Sequence, residues 1–253
     1  MRIMLKRLKD SHLIRTYADL PKVNPGEILV SPIVDDCLEF PPVINETTWP
    51  DWFRDPRIAE PGTIASCKGI QDLLSTGITF HLWCDYEFYW DAPKQSFSAR
   101  ASDPRFSAES FPYSNTVGCP IANARKMRES SWPKLVNPWC VKTAKGYSSL
   151  LIPTLYDADP KYHALPGIVH TDYYHAVNAV LQINTDEEFI IKAGTPLFQL
   201  IPFKRKDNIS KMTVVPHEAA VKMRARGVAY GNINPFSRRG LYRKHQRKAD
   251  ADS

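Results

Sequence analysis

The chain has 253 residues, 43% of them hydrophobic and 24% charged, with 21 Pro against 11 Gly and 33 basic against 27 acidic side chains for a net charge of +6. These proportions exclude intrinsic disorder, collagen and coiled coil, and the length suffices for one large β domain or two small ones. Proline is spread from Pro21 to Pro235, which disfavours long helices and suits short strands joined by rigid turns, so a mainly β fold is expected.

No apolar run approaches the ~20 residues needed to cross a bilayer, and Met1 to Lys9 carries charges where a signal peptide has its apolar stretch. A soluble, unexported chain with no membrane partner is expected. Cys37, Cys67, Cys84, Cys119 and Cys140 are odd in number, far apart and never in a Cys-x-x-Cys pair. That spacing favours buried thiols in a reducing compartment over a disulfide frame or a zinc knuckle.

In chain order, Gly26 to Val34 reads as a short apolar strand ending in Asp35 and Asp36. Trp49 to Arg54 suits a short helix, with Pro50 and Asp51 in its first turn and Trp49 and Phe53 laid on the core. A clearer helix follows, about three turns long. Ser66 is its N-cap, Ile70, Leu73 and Leu74 form its apolar face, and Gly77 is its stop. Ile78 to Cys84 alternates, which predicts Ile78, Phe80, Leu82 and Cys84 on one face and Thr79, His81 and Trp83 on the other. Asp91 to Ser131 is rich in Ser, Pro and Arg and poor in period, which predicts a long loop.

Strand patterns then crowd together at Tyr147 to Leu151, Gly167 to Asp172, Val177 to Ile183, Glu188 to Lys192 and Pro196 to Phe203. Short strands at this spacing indicate an antiparallel sandwich or distorted barrel with two or three short helices. Within Gly167 to Asp172 a period of two sends Ile168, His170 and Asp172 to one side. Pro216 to Arg226 is a further helix candidate, closed by Gly227. The expected organisation is one β-rich domain over 1–206, with its core at 137–206 and a loop at 91–131, followed by a helix and a basic arm over 207–253.

That arm holds Arg238, Arg239, Arg243, Lys244, Arg247 and Lys248 within eleven residues free of acid, which equals the whole charge excess of the chain. It is a candidate contact for an acidic partner surface or, by counterion release, for nucleic acid.

The stretch Pro166-Gly-Ile-Val-His-Thr-Asp-Tyr-Tyr-His-Ala-Val-Asn-Ala-Val-Leu-Gln-Ile-Asn184, followed by Glu188-Phe-Ile-Ile-Lys-Ala-Gly-Thr-Pro-Leu-Phe-Gln-Leu200, resembles the central motifs of the dUTPase and dCTP deaminase superfamily. Gly167, Asp172, Tyr173, Asn184, Gly194, Gln199 and Leu200 match, with one extra residue between Tyr173 and Asn184. The resemblance implies a dUTPase-like β fold and, in the dUTPase branch, threefold assembly. It also implies general-base activation of water by the first acid of the motif, with metal on the phosphates.

Here that first position is His170. The deaminase branch uses a glutamate three places before the Asn, which falls at Leu181, and no acid lies between Tyr173 and Asn184. Where family members have Pro-Arg-Ser, this chain has Ala144-Lys-Gly-Tyr-Ser-Ser149. The Gly-rich closing arm has no counterpart in Gly227-Val-Ala-Tyr-Gly-Asn-Ile-Asn-Pro235. Three of four catalytic elements are altered.

A wider resemblance links Trp49 to Phe53, Cys67 to Asp85, Asn137 to Ser148 and Gly194 to Arg205 to an uncharacterised family common in tailed bacteriophages.

His163, His170, Asp172 and His175 lie close in sequence, but a strand would aim His175 away from the others, so a polar turn is preferred to a metal site. His81 suits a satisfied buried or edge histidine. Trp49, Trp52, Trp83, Trp90, Trp132 and Trp139 have no repeated spacing and suit cores or interfaces rather than a base- or sugar-stacking platform. Walker, Gly-x-Gly-x-x-Gly, nucleophile-elbow and His-Glu-x-x-His motifs are absent.

The leading expectation is therefore a non-catalytic phage structural or interaction protein, a homo-oligomer and by resemblance a trimer, that meets other virion proteins in the virion or host cytoplasm. It needs no cofactor and no metal. The alternative is a deoxynucleotide-binding or hydrolysing enzyme, in which His170 and Asp172 do base chemistry with Mg2+. In it, Tyr173 stacks on sugar, and Ser148 and Gln199 contact phosphate or base. A nucleic-acid binder acting through the basic arm is the third class.

Overall fold

The computed structural model describes residues 20–34, 39–45, 49–55, 64, 67–93, 96–111, 132–155 and 159–223. The chain divides into two compact units, Met1–Asp207 and Asn208–Ser253. In the second, residues 217–223 are helical within the segment read as a helix from Pro216 to Arg226. Arg224 onward, including the whole basic arm, lies outside the described residues.

The first unit is mainly β. Its strands are β1 (Ile28–Pro32), β2 (Val43–Ile44), β3 (Ile78–His81), β4 (Tyr86–Asp91), β5 (Ser96–Ala101), β6 (Ala108–Phe111), β7 (Trp132–Leu135), β8 (Trp139–Thr143), β9 (Tyr147–Pro153), β10 (Tyr162–Ala164), β11 (Gly167–Val169), β12 (Ala179–Ile183), β13 (Phe189–Ile191) and β14 (Pro196–Lys204). They form a five-stranded sheet β11-β9-β14-β3-β2, a four-stranded sheet β10-β12-β7-β6, a three-stranded sheet β13-β4-β5 and the pair β1-β8. Among the described residues every pairing is antiparallel and the sheets do not close into a barrel. They pack as a sandwich.

One apolar core joins these sheets. Phe80 and Phe198 stack at 4.7 Å within the five-stranded sheet, and Phe88 and Phe189 stack at 4.8 Å between β4 and β13. Phe80, Leu82, Tyr86, Phe88, Leu135, Val141, Leu181, Phe198 and Leu200 are fully buried, and burial of such side chains is the main term that stabilises the fold. Phe53 and Leu74 form a smaller cluster with Trp49 and Ile70. There the 3-10 turn Asp51–Arg54 meets the helix α1 (Lys68–Ser75).

Several sequence expectations are corrected. The N-cap of α1 is Cys67, whose carbonyl accepts the N–H groups of Ile70 and Gln71, and the helix runs for only eight residues. Ser66, read as its N-cap, lies outside the described residues. The alternation over Ile78 to Cys84 stops at His81. Leu82 exchanges hydrogen bonds with Thr195 and Gly194, and the chain then crosses to β4, so Leu82, Trp83 and Cys84 are all buried regardless of parity.

The segment read as a loop from Asp91 to Ser131 contains β5 and β6, and 94–95 and 112–131 of it fall outside the described residues. Its period of two was written mostly in Ser and Ala, around a single large residue, Phe97. Residues 184–188 join two apolar strands that lie in different sheets. They carry the chain from β12, which pairs with β10 and β7, to β13, which pairs with β4.

Gly77 sits at φ +77°, and a Cβ there would meet the Leu200 carbonyl oxygen at 2.3 Å. The helix exit thus presses directly on the backbone of β14. Gly77→Ala is expected to cost at least ~2 kcal/mol, from the left-handed strain plus the overlap, measured as a fall in the urea midpoint at unchanged m-value.

Candidate functional site

The β11 strand ends at Val169. The N–H groups of Tyr173 and Tyr174 both turn back to the His170 carbonyl, at 2.9 and 2.8 Å, and break the expected alternation. Ile168 and His170 stay exposed while Asp172 is buried, although His170 and Asp172 meet in one cluster through Ser148 and Arg205.

The turn is seated on a buried hydroxyl chain. Thr171 Oγ1 lies 2.8 Å from both Thr143 Oγ1 and Ser149 Oγ, which fastens the turn to β8 and β9. Further along, the His175 carbonyl accepts the Val141 N–H. His175 Nδ1 faces the carbonyls of Val141 and Thr171 at 3.0 and 3.1 Å, so Nδ1 carries the proton.

Asp172 is the centre of the cluster. Its carboxylate takes a two-pronged ion pair from Arg205, Nη1 to Oδ1 at 2.7 Å and Nη2 to Oδ2 at 2.6 Å. It also accepts the Gly146 N–H at 2.8 Å. The side chain retains only 2% of its exposure. The Arg205 guanidinium beside Asp172, helped by the Gly146 N–H, holds its carboxyl below the usual range despite burial, which acts the other way.

Arg205 further donates to the Tyr147 carbonyl and to Ser148 Oγ, at 2.7 and 3.1 Å, and its guanidinium lies 5.9 Å from the ring centre of Tyr173. Ser148 Oγ, which accepts from Arg205, also shares a hydrogen bond of 2.7 Å with His170 Nδ1.

This geometry decides what the named residues can do. Ser148, His170, Asp172 and Tyr173 are brought together. Ser148 and His170 stand at the distance of a nucleophile and its base, but Ser148 is fully buried and no substrate reaches it. In the turn between β8 and β9, the Gly146 N–H points at the Asp172 carboxylate, so this backbone donor is already engaged by an anion of the chain itself.

Gln199 is not part of this cluster. It lies four residues along β14 from Phe203, the partner of Ser148, and its Nε2 donates to the carbonyls of Leu73 and Thr76 at the end of α1. It lines a cavity of about 230 Å³ on that side of the sheet, together with His81. His163 is separate again, accepting the Asn184 Nδ2–H at 3.1 Å. Among the described residues no three His, Cys, Asp or Glu side chains converge as metal ligands do. No family model matches the chain, and no curated protein does.

Arg205 is the member of the cluster that sequence reasoning did not assign. Its signal is not local. It lies 33 positions beyond Asp172, and only the pairing of Lys204 with Tyr147 carries it back to Gly146 and Ser148.

Because the folded Asp172 pKa is depressed, its contribution is full above the unfolded value near 3.9 and is lost as pH falls through the lower folded value. Asp172→Asn is expected to cost about 1–3 kcal/mol at neutral pH. Its difference from the unaltered chain should shrink as urea melts are repeated at pH values below about 4, and a constant difference would contradict the ion pair.

Proposed function

We propose that the chain is a non-catalytic structural or interaction protein of a tailed bacteriophage, a virion or assembly component on a dUTPase-like scaffold. The observation that carries the non-catalytic reading is the Asp172 carboxylate itself, fixed by Arg205 and the Gly146 N–H where the family would receive phosphate. A base must be free to take a proton, and this carboxylate is held in its charged form by two donors. The phage origin rests on the sequence resemblance alone.

Association is the role the surface supports. Ile168, Tyr173 and Tyr174 are 60%, 65% and 58% exposed around one turn, which gathers apolar and aromatic area of the kind that interfaces bury. The chain assembles with copies of itself, as a trimer, and the basic arm Arg238 to Lys248 grips an acidic surface of a neighbouring subunit. Fold and chemistry separate in this way when a scaffold is kept and its site is filled from within.

Three measurements test the reading. Incubation with the deoxynucleoside triphosphates, with and without Mg2+, should yield no turnover; turnover abolished by His170→Ala would overturn the proposal. Light scattering should give a trimer that Ile168→Glu and Tyr174→Glu convert to monomer, since each would bury an unpaired charge. Removal of residues 238–253 should weaken assembly in a salt-dependent manner, and loss of a salt-sensitive DNA affinity instead would reassign the arm.

A further inference from the structure

The cavity beside α1 belongs to no part of the cluster around Asp172, and its lining has a definite chemical character. One wall is Trp49, whose indole is fixed by donating its N–H to Ser75 Oγ at 3.1 Å and by standing edge-on to Phe53 at 5.0 Å. Its carbon surface is therefore held in place without help from a ligand. Leu74 and Pro196 extend the apolar area.

The other walls are polar and mostly acceptors. Gln199 spends its amide N–H groups on the end of α1, which leaves its carbonyl oxygen as acceptor. Thr79 donates to Asn45 Oδ1 at 2.6 Å, and Asn45 in turn donates to the Thr76 carbonyl at 2.8 Å, so both are held rigidly. Thr154 and Asp51 complete the polar lining. His81 donates to the Pro41 carbonyl, and burial lowers its pKa, so near neutral pH it lines the cavity as a neutral ring with one acceptor nitrogen.

Size and charge then limit the ligand. About 230 Å³ falls below the ~300–1,000 Å³ of pockets that take drug-sized molecules, so there is room for one substituted ring. Among the described residues no Lys or Arg lines the cavity, while the Asp51 carboxylate does, which disfavours phosphate and carboxylate groups. A small uncharged ring with several hydroxyl donors on its edge and C–H groups on its face satisfies all three conditions: the fixed indole, the convergent acceptors and the missing cation. A site built to pair with hydroxyls also rejects ligands that leave those acceptors unpaired.

We propose that this cavity binds an uncharged hexose, stacked on Trp49 and hydrogen-bonded through its hydroxyls to Thr79, His81, Thr154 and Gln199. The inference is independent of the assembly role and of the trimer.

The full-length chain tests it by saturation-transfer NMR against glucose, galactose, mannose and N-acetylglucosamine, with glucose 6-phosphate and thymidine as comparisons. A single ring of this size is expected to saturate in the millimolar range for at least one of the four sugars, with glucose 6-phosphate markedly weaker than glucose. Leu155→Trp fills the cavity from its exposed rim and should abolish the signal while the melting temperature is kept. Thr154→Ile is the second variant should the first fail to fold, with the same expected loss. Absence of saturable binding by all four sugars, binding of thymidine in their place, equal binding of glucose 6-phosphate, or a signal that survives in the folded variant would each overturn the proposal.

Discussion

The structure depends on β14 being buried on both faces. Leu197, Phe198, Gln199 and Leu200 follow one another with at most 4% exposure, so neighbours on either side of the strand are placed by contact with it. Phe198 faces the main core against Phe80, while Gln199 faces outward and closes the carbonyl end of α1. The approach of Gly77 to Leu200, backbone to backbone, leaves no room for the helix exit to shift. At its far end β14 delivers Arg205 to Asp172. One strand thus supports both the closed cluster and the open cavity, at opposite ends.

Those two places solve the problem of buried polarity in opposite ways. Around Asp172 the carboxylate is paired with Arg205 and takes the Gly146 N–H as well, so its charge is met within the chain. Buried ion pairs of this kind confer geometric definition more than net stability, because desolvation offsets much of the attraction. Around His81 the lining is uncharged except for Asp51, and the donors of Asn45, Trp49, Thr79 and Gln199 are spent on acceptors within the chain. What remains exposed to the cavity is acceptor capacity, which is an arrangement suited to a ligand that brings donors.

Much of the fold was legible in the sequence because its signals are local. Phe53 and Trp49 pack where a short turn at Pro50 would lay them, and Gly194 takes φ +81° between β13 and β14 as the tight turn requires. Expectations failed where a residue's environment is set by a remote segment. Trp83 is buried because the chain leaves the sheet through the core, and Asp172 turns inward because Arg205 and Gly146 wait there. β5 was missed because Ser and Ala carry little of the hydrophobic signal on which alternation depends, although Phe97 is buried as the period demands.

By itself the sequence determined the mainly β character and the places of β1, β3, β9, β11, β12, β13 and β14, since these are matters of residue type and short period. Only the tertiary structure decided that Asp172 is neutralised from within by Arg205, and that Gln199 serves a helix end rather than the residues around Ser148. The physical reason is that strand register acts at long range. A carboxylate is a base, a ligand or a buried anchor according to which charge the sheet brings against it, and that charge lies 33 residues away in the chain.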